Sequence, residues 1–375
     1  MKTIDLSRGV PDPQSFPIDK LQALTVSALA RDANRMLQYG PAFGYMPLRE
    51  FIASWFDCAA PNVLVGNGSL EIFDFLCEAY LKPGDVVFVE RPTYDRAVTT
   101  LKQHGVTIVG IDVHEGGICL DVFERELQRH TPKLVYLIPD FQNPTGVCMT
   151  LDARRTMIRL ARQHRFLIVE DGPYGFLRYT GDPIPSIHSM APDITLHLSS
   201  FTKLISPGVR VGFLVAPADV VQRVARVAER HYITPGVFAQ GVVAAWCEDG
   251  QLPLQLDRLR RLYGPRLDVC VQAIERYLPG RLFVRPEGGF FTSVRLGAHI
   301  DESSLLAAAA EAGLALSSGN AFFDAHPGYQ FLRLPFCALV EADIVEGIQR
   351  LGDVVSHLNM SARLKNARRN LISEV

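Results

Sequence analysis

A chain of 375 residues with 48% hydrophobic content can bury a large core, which excludes a disordered or fibrous protein. With 38 basic against 40 acidic side chains the formal net charge is −2, so no overall basic field recruits nucleic acid or an anionic membrane, and small metabolites are the expected partners. The 7 cysteines form no C-x-x-C pair, and neither a signal-peptide core nor an apolar run of about eighteen residues occurs, so a cytoplasmic protein with reduced thiols and no metal site is expected.

The segment before residue 30 is proline-rich and is expected to pack on a second domain rather than fold alone. Val65-Gly66-Asn67-Gly68-Ser69-Leu70-Glu71 then precedes a helix with apolar period at Ile72, Phe73, Phe75, Leu76 and Ala79. Glycines followed by a hydroxyl residue at a helix start offer free N–H groups and the positive dipole end to an anion such as phosphate. The pattern is G-x-G-x-x-E, not a dinucleotide fingerprint, and no G-x-x-x-x-G-K-[ST] loop exists.

From about residue 61 to 230 strand-like runs alternate with helix-period segments, which argues for a mainly parallel sheet covered by helices. Val86–Val89, Leu134–Ile138 and Phe166–Val169 read as strands, and Leu151–His164 as a crossover helix. Gln142-Asn143-Pro144-Thr145-Gly146 is a turn by composition; Asn143 there either donates a hydrogen bond to a phenolate oxygen or simply serves the turn. Glu170-Asp171-Gly172-Pro173-Tyr174 ends the next strand. A carboxylate at that edge holds a heterocyclic nitrogen protonated, or else caps a helix.

Thr195–Ser199 reads as a strand, placing Lys203 just past its end, where α/β sheets keep their chemistry. Pro207-Gly208 forces a turn that returns Arg210, seven positions after Lys203 (210 − 203), towards the same crevice. A lysine that can form a Schiff base, a permanently charged guanidinium for a phosphate dianion and an acid for a ring nitrogen are what pyridoxal phosphate requires. Ser200-x-x-Lys203 also fits a serine–lysine acylation pair, but its Ser-Asp-Asn and Lys-Thr-Gly partners are missing from the chain. After about residue 270 the pattern changes. Phe290–Leu296 alternates like a half-exposed strand, Glu302–Glu311 reads as a helix, and Asp343 with Glu346 forms a capping box before the stripe Ile344, Ile348, Leu351 and Val355. A smaller α+β domain is expected there.

Taken in order, the glycine-rich helix start, Tyr94, Asn143, Asp171 with Tyr174, Lys203 and Arg210 resemble the aspartate aminotransferase superfamily of fold-type I pyridoxal-phosphate enzymes. The resemblance covers nearly the whole chain and includes Ile4–Pro17, Tyr39-Gly40 with Gly44 and Leu48-Arg49, and Phe331–Phe336. The branch it is most similar to holds the α-aminoadipate and aromatic aminotransferases and the aminotransferase-like half of MocR regulators. A DNA-binding domain ahead of the fold is not expected, because the family pattern begins at Ile4.

The resemblance implies an α/β fold with a mainly parallel seven-stranded sheet in a large domain (residues 40–270), and a smaller α+β domain from residues 1–39 and 271–375. It implies that Lys203 carries pyridoxal 5′-phosphate as a Schiff base and shuttles a proton. Asp171 would pair with the pyridine nitrogen, Asn143 and Tyr174 would bind the 3′ oxygen, and Tyr94 would stack on the ring. Gly68, Ser69, the backbone of Leu70, Ser200 and Arg210 would clamp the phosphate, and Tyr39 would reach the phosphate of a neighbouring subunit in a homodimer with shared sites. Arg333 would take the substrate α-carboxylate, beside Arg8 and Gly9 of the N-terminal segment. Leu70 stands where relatives often carry glutamine, Gly172 where many have a second acid, and Arg8 where a small or neutral residue is usual. Arg8 either binds a distal carboxylate, repels a basic side chain or is simply solvated. The implied reaction is transfer of an amino group from an L-α-amino acid to a 2-oxo acid; a cyclase, lyase or oxidase acting on an amino acid uses the same residues.

Overall fold

The chain opens with β1 (Ile4–Asp5), α1 (Ile18–Met36) and α2 (Met46–Trp55). Strands and helices then alternate through β2 (Val63–Gly66), α3 (Ser69–Tyr80), β3 (Val86–Arg91), α4 (Asp95–Gln103), β4 (Thr107–His114), β5 (Gly117–Ile118), α5 (Leu120–Leu127), β6 (Pro132–Leu137), α6 (Leu151–His164), β7 (Leu167–Asp171), α7 (Ile187–Met190), β8 (Thr195–Ser200), β9 (Gly212–Val215) and α8 (Ala218–Tyr232). Helices α9 (Val237–Glu248) and α10 (Gln251–Tyr277) lead into β10 (Phe291–Leu296), α11 (Glu302–Glu311), β11 (Leu314–Ala315), β12 (Gln330–Pro335) and α12 (Glu341–Ser373). This computed structural model describes residues 2–325 and 327–373, with side chains up to residue 360.

The main sheet runs β2-β9-β8-β7-β6-β3-β4-β5. Strands β8, β7, β6, β3 and β4 are parallel, and β9 runs against both its neighbours. Seven of the eight strands are those the resemblance implies; the eighth, β5, is a two-residue hairpin return on β4, too short to show a period in the sequence. Successive residues enter opposite cores. Val87, Val89, Leu134, Tyr136 and Val169 join Ile72, Phe73 and Leu76 of α3, while Phe88, Val135, Leu137 and Ile168 meet Phe123 of α5 and Met157 and Leu160 of α6. Burial on both faces makes these strands continuous apolar runs, and the polar residues that follow them are left at the C-terminal edge. Crossover helix α6 starts where Thr150 Oγ1 accepts the Ala153 N–H at 3.3 Å and stops at Arg165, in left-handed backbone with φ 59°.

Beyond the main sheet, β10 pairs antiparallel with β12, and β1 lies parallel to β11 with Ile4 opposite Leu314. The N-terminal segment therefore divides. Its first residues join β11, but α1 lies on α9, where Arg31 Nη2 meets Glu248 Oε2 at 2.8 Å and a Cβ on Gly241 would stand 2.7 Å from Met36 Sδ. The capping box at Asp343 does not form: α12 starts two residues earlier, at Glu341, so Asp343 sits within the first turn and binds Lys2 Nζ at 2.7 Å. The stripe Ile344, Ile348, Leu351 and Val355 is buried as its spacing requires. Among the described residues no helix is long and apolar enough to cross a membrane.

Candidate active site

A cleft of about 570 Å³ opens where the C-terminal edge of the sheet faces the N-terminal segment and β12, and it brings together Arg8, Gly9, Gly68, Ser69, Leu70, Tyr94, Asn143, Asp171, Tyr174, Ser200, Lys203, Arg210 and Arg333. Asp171 is the last residue of β7 and no helix follows it, so the capping role does not apply. Tyr136 stands opposite Val169 in the β6–β7 register, on the same sheet face as Asp171, and its hydroxyl donates to Asp171 Oδ2 at 2.5 Å. Asp171 Oδ1 is buried without a partner. Burial pushes the carboxyl up to about 6, against the Tyr136 hydrogen bond and the His197 and Lys203 charges that hold it down. Its neighbour Glu170 faces the other way. It accepts the Ile187 and His188 N–H groups at 2.8 and 2.9 Å and meets His197 Nδ1 at 3.0 Å, anchoring α7.

Lys203 sits three residues past β8, half-buried (203 − 200), and its Nζ reaches the Gly9 carbonyl at 3.4 Å. Burial lowers the affinity of this amine for its proton, and the Arg333 charge acts in the same direction. Gly9 is required where it stands, because a Cβ there would lie 1.9 Å from Phe291 Cε1. Ser200 Oγ bonds Thr202 Oγ1 at 2.7 Å and the Val211 carbonyl at 3.1 Å, so it is not paired with Lys203 as an acylating serine would be.

At the other end of the cleft α3 begins without a side-chain cap. Its first N–H groups stay free for an anion. Gly68 has φ 132°, and a Cβ on it would stand 2.6 Å from Arg210 Nη2, so only glycine leaves the guanidinium its place beside the helix start. Arg210, at φ 50°, is turned back by Pro207–Val209 and donates to the Asn67 carbonyl at 2.9 Å.

Arg333 on β12 crosses to the sheet side, donating to Asn143 Oδ1 at 3.1 Å and the Ser7 carbonyl at 3.0 Å; its Nε is buried and unpartnered. The bond to Arg333 gives Asn143 a task beyond the turn, and its Nδ2 donor stays available to a ligand. Tyr174 is buried with its ring edge-on to Phe291 at 5.7 Å, and Tyr94 is half-buried with its phenol pushed up to about 12 by burial and the Asp171 charge. Arg8 is exposed on the cleft rim and Leu70 lines its floor. Tyr39 is not brought into the cleft: it is 74% exposed and lines a separate depression with Gly40, Pro47 and Val237. The sequence reading missed Tyr136, Phe291 and Ser317, which read as core or loop residues. A phenol inside an apolar strand, which must find an acceptor when buried, was the one available signal.

An α/β sheet with a lysine, an orphaned carboxylate and an uncapped helix start along one edge defines the aspartate-aminotransferase-like class of fold. The family described as aminotransferase class I and II matches residues 2–351, and the chain belongs to it; its members move an amino group between amino acids and 2-oxo acids. The chain is 32% identical over 365 residues to aromatic-amino-acid aminotransferase 1 of Thermococcus litoralis, covering 94% of this chain and 88% of that protein. The multiple substrate aminotransferase from Thermococcus profundus superposes with a TM-score of 0.92 at 31% identity, covering 96% of this chain and 93% of that one. The α-aminoadipate aminotransferase from Thermus thermophilus, solved with N-(5′-phosphopyridoxyl)-L-leucine, gives 0.91 at 30% identity, with 96% and 93% covered.

Proposed function

We propose that the cleft holds pyridoxal 5′-phosphate on Lys203 and that the protein works as a homodimer, passing the amino group of an L-α-amino acid to a 2-oxo acid. The observation that carries this reading is the buried, unpartnered Oδ1 of Asp171 in the cleft that also holds Lys203. An orphaned carboxylate oxygen is costly to keep unless a ligand donor meets it, and a pyridinium N–H is such a donor. The unpartnered Arg333 Nε and the α3 start beside Arg210 fit the remaining polar groups of the cofactor–substrate pair.

When bound, the cofactor supplies an aldehyde for the amino group and a ring that withdraws electrons from the substrate Cα. The protein residues do the rest. Asp171 in its ionised form holds the ring nitrogen charged, and Tyr136 keeps that carboxylate oriented and favours its ionisation. Asn143 Nδ2 and the Tyr174 hydroxyl would donate to the ring oxygen, and Tyr94 would lie against the ring. The N-terminal N–H groups of α3, with Ser200 and Arg210, balance the phosphate. Arg333 would receive the α-carboxylate as a charge-assisted pair and so fix the substrate's orientation towards Lys203. The Lys203 amine, freed when the substrate's amino group takes its place on the cofactor and more readily neutral because of burial, would remove the Cα proton.

In this reading residues 40–270, with α1 laid on α9, hold the cofactor, and the first residues of the chain join the part after residue 270 in the smaller domain on the substrate side. Exposed Tyr39 serves the partner subunit's phosphate. The 7 free cysteines support a reducing, cytoplasmic compartment. Incubating the holoenzyme with a panel of amino acids and 2-oxoglutarate, and reading products by mass spectrometry, tests the reaction. Glutamate formed in step with the matching 2-oxo acid is expected; ammonia release or a cyclised product without glutamate contradicts it.

A further inference from the structure

We propose that Glu90 is a positioning residue that sets the Asn143 turn, and that it does so as an uncharged carboxylic acid. The inference rests on the reading above, in which Asn143 Nδ2 donates to the cofactor's ring oxygen.

Asn143 has a second task in that reading, since its Oδ1 accepts from Arg333 at 3.1 Å. A turn that serves both must be held still, yet its neighbours adopt uncommon backbone, with φ 51° at Phe141 and 79° at Gly146. The side chain of Gln142 holds it. Gln142 Oε1 accepts the Thr145 N–H at 3.0 Å and the Thr145 hydroxyl at 2.7 Å, while Nε2 donates to the Pro92 carbonyl at 2.7 Å and to Glu90 Oε2 at 3.2 Å. All four hydrogen-bonding positions of the amide are used. The amide cannot be turned round, because a backbone N–H on one side requires an acceptor and a carbonyl on the other requires a donor. Glu90 must therefore accept from Gln142, and the same Oε2 also accepts the Ile138 N–H at 2.9 Å.

Two donors on one oxygen leave the other to carry a proton. Glu90 is 2% exposed, and among the described residues no cation pairs with it. The titratable groups that act on it are Asp171 and Tyr136, and neither supplies a positive charge. Burial pushes this carboxyl up to about 8 and the Asp171 charge adds to the rise, against the Ile138 and Gln142 hydrogen bonds. Asp171 itself is raised only to about 6. At neutral pH the two acids thus differ, Asp171 ionised to face a ring nitrogen and Glu90 neutral. An ionised Glu90 would set a second negative charge near the first and raise the affinity of Asp171 for a proton.

The place of Glu90 in the chain gives the clasp its use. It stands near the end of β3, four residues before Tyr94 (94 − 90), and Pro92 between them also accepts from Gln142. One buried carboxyl joins the segment that carries Tyr94 to the turn that carries Asn143, from behind the cleft wall.

Infrared difference spectra of the full chain, wild type minus Glu90→Gln, should show the stretch of a protonated carboxyl group at neutral pH, fading as pH rises through about 8. Folding moves this carboxyl from 4.5 to about 8, so in urea unfolding the wild type should lose stability relative to Glu90→Gln as pH rises through that window. A carboxylate band at neutral pH, or a stability difference that does not change with pH, overturns the neutral acid, and both measurements stand even where Glu90→Ala does not fold. The positioning role is read from the pH midpoint of the visible band of protein loaded with pyridoxal 5′-phosphate. A donor on the ring oxygen lowers that midpoint, so Asn143→Ala should raise it by about one pH unit. Glu90→Ala should raise it in the same direction, Glu90→Gln should restore it, and Glu90→Ala should add nothing to Asn143→Ala. An unmoved midpoint in Glu90→Ala, or a full additional shift in the double variant, overturns the positioning role. A protein with the protonated-carboxyl band that forms no visible band with pyridoxal 5′-phosphate would uphold the neutral Glu90 and overturn the cofactor reading above.

Discussion

The two walls of the cleft are built by different means. On one, Asp171, Ser200 and Lys203 stand at or just past the ends of strands whose register is fixed by burial on both faces. The other is assembled from Ser7–Val10, Ser317 and Arg333, segments distant in sequence and joined by single long-range bonds: Arg333 to the Ser7 carbonyl at 3.0 Å, Cys337 Sγ to the Val10 carbonyl at 3.2 Å, and Asp12 to Arg266 at 2.7 Å. In the proposed reaction the sheet wall holds the reacting atoms because a rigid scaffold positions them, while the strap wall rests on a few long-range bonds and on Gly9, where a Cβ would meet the Phe291 ring.

Breaking the sheet wall should have the largest effect. Lys203→Ala removes the positioned base, and turnover should drop by about 10² to 10⁴ or more in a stopped amino-transfer assay. A variant with unimpaired turnover would put the chemistry elsewhere. On the strap wall, Arg333→Ala should lower kcat/KM by about 10-fold to 10²-fold for every α-amino acid, chiefly through KM, since it removes charge-assisted bonds to a group all substrates share. Gly9→Ala should cost about 1–3 kcal/mol in urea unfolding, because its Cβ would collide with the Phe291 ring 1.9 Å away. Unaltered stability would mean that the strap is loose.

The smallest effect sharpens the comparison by pH. Burial raises the Asp171 carboxyl to about 6, and the Tyr136 hydrogen bond lowers it. Cofactor affinity should therefore weaken as pH falls through about 6, where the carboxylate takes up its proton. Tyr136→Phe should move that acid limb upward by about one pH unit, with Asp171→Asn lacking the Asp171 contribution. A downward shift in Tyr136→Phe would contradict the sign of this coupling.

The sheet wall was also the legible one. Strands buried on both faces leave continuous apolar runs, so the residues that follow them, Asp171 and Lys203, announce their position. The turn residues around Gly68 and Arg210 could be read for the same reason. Tyr136 was hidden because a phenol on an apolar strand has the pattern of core, and only its partner across the β6–β7 register reveals its task. Ser7 and Ser317 were hidden because pairing between β1 and β11, 310 positions apart at Ile4 and Leu314 (314 − 4), leaves no local trace. The first turn of α12 was misplaced for the opposite reason, since an acid in a first turn and an acid at a cap look alike in sequence.

Borohydride reduction of the protein after supplying pyridoxal 5′-phosphate, followed by peptide mass spectrometry, tests most directly whether one amine holds the cofactor opposite Asp171. Reduction should attach the phosphopyridoxyl group to Lys203, and the label should be lost in Lys203→Ala. A label distributed over surface lysines, or an unlabelled position 203 in the wild type, would contradict the account.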